Sequence, residues 1–302
     1  MADLNRLLES TSRTFALSIP ALDEPLRTEV TVAYLLFRIA DTFEDAADWP
    51  QARRVEALAE FAAWVRDVAA GQAPNEVPRG ASWNQGVAPS EHRGYRELVA
   101  ATADVLQAFH DLTPAARAAI GHHTMRTAQG MAEFVTRADD EGRLVLGDLA
   151  DLQAYCYVVA GIVGELLTEL FLLAHPGLEP RRAELLARAA TFGEALQLVN
   201  ILKDAASDAR EGRTFLPASA PRAEVFALAR RDLDSARRYV LDLQQGGAPT
   251  GLLTFTALPV AFAEATLARV ERDGAGAKIT RTEVATIALA LAERLAAGDA
   301  AF

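Results

Sequence analysis

Apolar residues recur at helical spacing along most of the chain, while few stretches carry runs of β-branched residues. This pattern predicts an all-α protein. The helix ends are marked in the usual way, for example by Thr113-Pro114, where Thr113 is expected to cap a helix that Pro114 begins. The predicted helical segments are 2–18, about 25–47, 51–70, about 95–110, 113 onward, 149 to about 175, 194 to a break at 212–217, 222–245, 252 onward and 282–295.

Residues 71–94 interrupt this pattern. They contain several glycines and prolines with scattered polar groups, which predicts a long surface loop or a lid. Because the helical pattern resumes with the same character afterwards, we expect one domain over residues 1–302.

Composition narrows the class of protein. Apolar residues make up 51% of the chain, enough for a sizeable core, and the formal charge of −11 argues against a nucleic-acid surface. Cys156 is the single cysteine, so no intrachain disulfide is possible. The most apolar run, residues 155–174, includes Glu165 and Glu169 and is more typical of a buried helix than of a membrane span. We therefore expect a soluble cytoplasmic protein. Peripheral contact with a membrane, through which a product could be released, stays an open alternative.

Two predicted helices carry acidic side chains in file. Asn200, Asp204 and Asp208 are four residues apart and share one face of an otherwise apolar helix. The 25–47 helix presents Asp41 and Asp45 in the same way, with Glu44 beside them. A solvated acidic face explains one such stripe, but two in one chain favour cation binding.

Oxygen ligands on rigid helices suit Mg²⁺, which bridges carboxylates to substrate phosphates. Facing acidic helices in a bundle would therefore suit ionisation of a prenyl diphosphate, whose leaving group needs its charge neutralised. The basic residues that flank the acidic motifs could bind diphosphate, and an apolar, aromatic-lined cavity would protect the carbocation. These basic candidates are Arg13, Arg38, Lys203 and Arg213, and the candidates for the lining are Phe15, Phe37, Tyr155 and the glycine face of the 155–170 helix.

The same residues resemble the signature motifs of the squalene/phytoene synthase family. Asp41-Thr-Phe-Glu-Asp45 is similar to the first acidic motif, and the stretch Asn200–Asp208 with Gly212-Arg213-x-Phe-x-Pro217 is similar to the second. Further segments resemble the family in the same order, the last ones favouring the squalene synthase branch: Ser12–Phe15, Gly130–Phe134, Tyr155–Gly164, Gln197, Ala257–Pro259, Ala265–Ala268 and Ala277–Ile279.

The resemblance implies an α-helical bundle of the isoprenoid synthase type with a central cavity. It implies condensation of two farnesyl diphosphates through a cyclopropyl intermediate to squalene, with Mg²⁺ and NADPH as cofactors. Tyr155 would assist proton removal beside that intermediate, Phe15 would line the pocket, and Lys278 would lie near the reductant. The implied metal ligands are Asp41, Glu44, Asp45, Asp204 and Asp208, and the implied substrate-binding residues are Ser12, Arg13, Arg38, Gln197, Asn200, Lys203 and Arg213.

Two single positions and one three-residue segment depart from the family pattern. Lys203 stands where squalene synthases usually have arginine, and Ser207 replaces an acidic residue. Arg269-Val270-Glu271 stands in place of a Tyr-Asn-Asn sequence of the eukaryotic enzymes, which bears on the NADPH step.

Alternatives therefore stay open. Water or proton loss would end the reaction at hydroxysqualene, dehydrosqualene or phytoene. More distant alternatives are a class I terpene cyclase and a non-catalytic helical binding protein. The sequence is compatible with a C15 or a C20 substrate and with any oligomeric state.

Overall fold

The computed structural model describes residues 2–12, 14–74, 83, 86–139, 143–210 and 212–302. Within them the fold is α-helical apart from a short parallel pair of strands, β1 (Leu144–Val145) and β2 (Arg213–Thr214). The predicted all-α class is confirmed. The α-helices are α1 Leu4–Thr11, α2 Phe15–Ser18, α3 Leu26–Glu44, α4 Gln51–Ala69, α5 Arg93–Ala100, α6 Thr102–His110, α7 Pro114–Thr136, α8 Leu149–Cys156, α9 Ile162–Ala174, α10 Arg182–Arg210, α11 Arg222–Gln245, α12 Thr250–Asp273 and α13 Arg281–Ala297.

The chain divides into two compact units. Unit 1 comprises Met1–Ile19 and Glu24–Gly142, and unit 2 comprises Pro20–Asp23 and Arg143–Phe302. The acidic motif at 41–45 belongs to unit 1, and the motif at 200–208 belongs to unit 2. The single domain expected over residues 1–302 stays a prediction.

In unit 1, α3, α4 and α7 pack on one another around fully buried aromatic side chains, among them Phe43 and Phe61. Trp83 lies within the 71–94 segment expected to be a surface loop or lid, yet it is buried, with its ring centroid 4.5 Å from that of Phe43. Its Nε1 donates a hydrogen bond to Glu60. Residues 75–82 and 84–85 of this segment lie outside the described residues.

In unit 2, α10 is the central helix, with α9, α11 and α12 packed against it. Glycines allow its close crossing with the chain around α9. A Cβ atom on Gly164 would lie 1.9 Å from the carbonyl oxygen of Ala189, and one on Gly193 would lie 1.9 Å from that of Ala160. Gly164 therefore serves a tight helix crossing.

Several predicted helices are broken or split. The first helical segment stops at Thr11, because the Ser12 side chain accepts a hydrogen bond from the Phe15 backbone N–H (2.9 Å) and forms a local turn. The 95–110 helix is two helices separated at Ala101. The 149–175 helix contains a π-helical turn over Tyr157–Gly161, a type of turn often found at functional sites.

Three helical stretches are long and apolar enough to cross a membrane by length and composition: Leu149–Ala174, Pro176–Arg210 and Thr250–Asp273. Of the most apolar window in each, 56%, 50% and 61% respectively is buried inside the fold. At least half of each apolar window is thus used for packing.

Candidate active site

The first acidic motif lies at the C-terminal end of α3. Asp41 forms an ion pair with Arg38 one turn earlier, with 3.2 Å between the charged groups. Burial raises the pKa of Asp41 to about 6, with Arg38 opposing the shift and Asp45 adding to it. Negative charge is therefore costly at this carboxylate, and a cation bound beside it would be stabilised.

Asp45 and Glu44 differ in exposure. Asp45 follows the last residue of α3 and is exposed, with its N–H donating to the Asp41 carbonyl oxygen (2.8 Å). Glu44 is only 7% exposed, and Arg54 donates a hydrogen bond to its backbone carbonyl. Asp41 and Asp45 are therefore better placed than Glu44 to meet a ligand from solvent.

Aromatic side chains lie beside Arg38 in unit 1. The ring centroids of Phe15 and Tyr34 are 5.5 Å apart. The Tyr34 hydroxyl donates a hydrogen bond to the Thr11 carbonyl oxygen (2.9 Å) and accepts one from Arg38 Nε (3.3 Å). Phe15, expected to line the pocket, is thus linked to the proposed diphosphate-binding arginine through Tyr34.

Two other predicted diphosphate-binding residues precede α2. The Ser12 side chain is engaged in the turn before that helix, where it accepts from the Phe15 N–H. Arg13 lies outside the described residues. Both assignments stay predictions.

The second acidic motif occupies the last turns of α10. The Lys203 ammonium donates to Asn200 Oδ1 (3.0 Å) and forms an ion pair with Asp204 (3.1 Å). Lys203 and Asp204 are partly exposed, as is Asp208 one turn further on. Like the first motif, this one holds a cationic side chain next to a carboxylate, here between adjacent residues and not one helical turn apart.

Tyr155 on α8 packs close to the arginine that follows this motif. Its buried ring is stacked on Phe215, with centroids 4.6 Å apart and planes 22° apart. The Arg213 guanidinium lies 6.0 Å from the Phe215 ring centroid. The parallel pairing of β1 with β2 brings these groups together, because Arg213 is a β2 residue whose partner is Leu144, just before α8.

Lys278 is exposed on the segment between α12 and α13. Two residues before it, the Gly276 N–H donates a short hydrogen bond of 2.6 Å to the carbonyl oxygen of Lys203. The segment expected to lie near a reductant is therefore attached to the second acidic motif.

Glu194 was missed by the sequence reasoning. It lies on α10, on the same side of the helix as the half-buried Gln197. Burial, Asp232 and Glu165 raise its pKa to about 7. The Tyr157 hydroxyl donates to Glu165 (3.0 Å), so the π-helical turn contributes to this group. The three carboxylates come from α9, α10 and α11, and no sequence spacing links them.

The residues present fit Mg²⁺ in one specific way. Among the described residues no group of three or more His, Cys, Asp and Glu could hold a metal by itself. Each acidic motif instead offers a pair of carboxylates on one helix face. Mg²⁺ is usually bound through one or two carboxylates together with substrate phosphates and water, which is what each motif could supply.

Comparison with known proteins identifies the family. The family model for squalene/phytoene synthase matches residues 8–223, which is more than half of the chain. The chain belongs to the squalene/phytoene synthase family.

Squalene synthases are among the curated relatives that the chain matches. The chain is 32% identical over 218 residues to that of Candida albicans and 31% identical over 214 residues to squalene synthase 1 of Arabidopsis thaliana. Each match covers 70% of this chain, but only 44% of the first relative and 46% of the second. The matched region is thus less than half the length of either relative.

Solved structures agree on the fold. The complex of TcSQS with the ligand E5700 superimposes with a TM-score of 0.73 at 28% identity, covering 95% of this chain and 84% of that one. A dehydrosqualene synthase complex superimposes with a TM-score of 0.60 at 17% identity over 97% of this chain and 95% of that one, which supports the fold alone. The α-helical fold of the isoprenoid synthase type, implied by the resemblance, is confirmed.

Proposed function

We propose that the protein is a prenyltransferase that condenses two farnesyl diphosphates head to head, through a cyclopropyl diphosphate, to squalene. The observation that carries the proposal is the same pairing in both acidic motifs, Arg38 with Asp41 and Lys203 with Asp204. Diphosphate binding needs cationic donors beside carboxylates that can share a metal. Membership of the squalene/phytoene synthase family supports the same chemistry.

The charge of the diphosphate would be neutralised by the chain's own cations and by Mg²⁺. Arg38 offers a planar fork of donors, whereas Lys203 offers a point charge. The side chains that would bind diphosphate oxygens are Ser12, Arg13, Arg38, Asn200, Lys203 and Arg213. Those that would hold Mg²⁺ are Asp41, Asp45, Asp204 and Asp208, with Glu44 in support.

The carbocation formed by ionisation must be kept from water. The Tyr155 ring, buried and stacked on Phe215, supplies an aromatic surface of the kind that stabilises cations. Phe15 and Gln197 are further side chains that the family resemblance implies would contact the isoprenoid. The Tyr155 hydroxyl would assist removal of the proton lost when the cyclopropane closes.

Lys278 would contact the phosphate-bearing reductant, NADPH, if hydride ends the reaction. The hydrogen bond between Gly276 and Lys203 supports this placement, since it holds the Lys278 segment at the second acidic motif. Quenching by water or by proton loss would use the same first half-reaction and would not need Lys278.

The product of purified protein with farnesyl diphosphate and Mg²⁺, with and without NADPH, tests the proposal. The expected result is squalene with NADPH and diphosphate release without it. Hydroxysqualene formed both with and without NADPH would show that water ends the reaction, and dehydrosqualene would show that proton loss does. A squalene yield that does not depend on NADPH would contradict the reductive step. A cyclised C15 product would identify a terpene cyclase. No diphosphate release from any C10–C20 substrate would indicate a binding protein.

The proposed location follows from the product. A C30 hydrocarbon is insoluble, so we propose a soluble cytoplasmic protein that touches a membrane to release it. Exposed leucines at the end of α9 and the start of α10, Leu173 at 47% and Leu186 at 44%, are apolar groups that could make such contact. Cosedimentation with lipid vesicles, lost when Leu173→Ser is combined with Leu186→Ser, tests this location.

A further inference from the structure

Arg38 lies over two tyrosine rings from different helices. Its Cζ atom is 5.6 Å from the Tyr34 ring centroid and 5.5 Å from that of Tyr95. Tyr34 comes from α3 itself, one turn before Arg38, but Tyr95 comes from α5. Both distances are within the range of a cation–π contact.

These contacts belong to a longer row, which we name the Arg38 ladder: His92, Tyr95, Arg38, Tyr34 and Phe15. The ring centroids of His92 and Tyr95 are 4.3 Å apart, and those of Tyr34 and Phe15 are 5.5 Å apart. The row joins α5, α3 and α2, entirely within unit 1. Its two ends are the last part of the 71–94 segment and the first residue of α2.

The two tyrosines act on Arg38 in different ways. Tyr34 accepts a hydrogen bond from Arg38 Nε and is itself fixed by its bond to Thr11. Tyr95 contacts the guanidinium through its ring. Asp41 pairs with Nη1, at 3.2 Å. Because the donors of a guanidinium lie in its plane, the contacts that orient this plane decide where the donors point.

The electrostatics favour the charged form of Arg38. Burial acts to lower its pKa, but Asp41, Tyr34 and Tyr95 raise it, with a net increase. A long, flexible side chain otherwise loses much conformational freedom on binding an anion. A second ring against the guanidinium removes part of that freedom before the ligand arrives.

We propose that Tyr95 is a positioning residue that holds the Arg38 guanidinium in the plane in which it binds diphosphate. This rests on the proposed function, which assigns diphosphate binding to Arg38. Tyr95 lies outside the acidic motif and touches Arg38, so its effect passes through that side chain.

Calorimetric titration of the full chain with inorganic pyrophosphate and Mg²⁺ tests the proposal. Four variants are compared with the wild type: Tyr95→Phe, Tyr95→Leu, Arg38→Lys and the double variant Arg38→Lys with Tyr95→Leu. Tyr95→Phe keeps the ring and should bind within about twofold of the wild type, whereas Tyr95→Leu should weaken binding roughly threefold to thirtyfold, the range of a cation–π contact. In the Arg38→Lys background, Tyr95→Leu should add little.

The thermal midpoint of each variant separates positioning from folding. A loss of affinity in Tyr95→Leu with an unchanged midpoint and with rescue by phenylalanine supports the proposal. Full affinity in Tyr95→Leu overturns it. Additive losses from the two substitutions in the double variant also overturn it, because additivity would mean that Tyr95 acts without Arg38.

The Arg38→Lys variant separates a failure of the proposed function from a failure of the positioning role of Tyr95. If it binds pyrophosphate as tightly as the wild type, the diphosphate role of Arg38 is wrong, which is a failure of the proposed function. If it binds weakly while Tyr95→Leu binds normally, only the positioning role of Tyr95 is wrong.

Discussion

The Tyr155 ring lies flat against the Phe215 ring, with 4.6 Å between centroids and 22° between planes. A stack of this kind contributes about 0.5–1.5 kcal/mol beyond area burial. Tyr155→Phe keeps the stack, so the thermal midpoint should stay within about 2 °C of the wild type. Formation of the cyclopropyl diphosphate should fall about a hundredfold because the hydroxyl is lost. Product analysis with a thermal melt checks both, and full activity of Tyr155→Phe would remove the hydroxyl from the mechanism.

The close approach of Gly193 to Ala160 should contribute to the stability of the fold. Gly193→Ala would place a Cβ atom 1.9 Å from the Ala160 carbonyl oxygen, so the free energy of unfolding should fall by about 1–3 kcal/mol. Gly177→Ala is the matched control, because nothing lies within 4 Å of its Cβ position. Urea unfolding measures both variants. Equal stability of the two variants would mean that Gly193 does not pack closely against Ala160.

We expect a pH-dependent stability from Glu194. Burial, Asp232 and Glu165 raise its pKa from 4.5 to about 7. Between these values the folded protein holds a proton that the unfolded chain releases, so raising the pH through this window lowers stability. Glu194→Gln should therefore melt higher than the wild type at pH 8 and show a flatter pH profile. Glu224→Gln, an exposed change on α11, should behave as the wild type. Identical pH profiles for the wild type and Glu194→Gln would show that Glu194 titrates normally.

Substitution of a carboxylate in either acidic motif should sharply lower turnover. Asp45→Asn and Asp204→Asn each remove one negative charge, and kcat with farnesyl diphosphate should fall about a hundredfold or more. Both side chains are at least partly exposed, so circular dichroism and the thermal midpoint should be unchanged. Asp234→Asn, the same chemical change at an exposed position of α11, should keep full turnover. Wild-type rates in either motif variant would place the metal elsewhere.

Sequence patterns predicted the helices well where the periodicity was local. The 222–245 segment coincides with α11, and Thr113 caps α7 as expected, its side chain accepting from the Ala116 N–H. The first helix was predicted too long because the Ser12 side chain competes for backbone hydrogen bonds and ends it. The π-helical turn at Tyr157–Gly161 was not predicted, because five residues are too few to reveal a local change of helical period in the sequence.

The contacts of the candidate site were predictable only along single helices. Arg38 and Asp41 are three residues apart, so their ion pair follows from helical spacing, and Lys203 and Asp204 are neighbours in the sequence. The contact of Tyr95 with Arg38 does not follow from spacing, because the two residues come from distant elements and meet only through tertiary packing. The stack of Phe215 on Tyr155 and the group of carboxylates at Glu165, Glu194 and Asp232 escaped prediction for the same reason.

The central claim is that both acidic motifs take part in binding magnesium-bound diphosphate. Calorimetric titration of inorganic pyrophosphate with Mg²⁺ into the wild type, Asp45→Asn, Asp204→Asn and the control Asp234→Asn tests it most directly. Each motif variant should bind about tenfold or more weakly, a loss of roughly 1.4 kcal/mol, while the control binds as the wild type. Wild-type affinity in either motif variant would contradict the account.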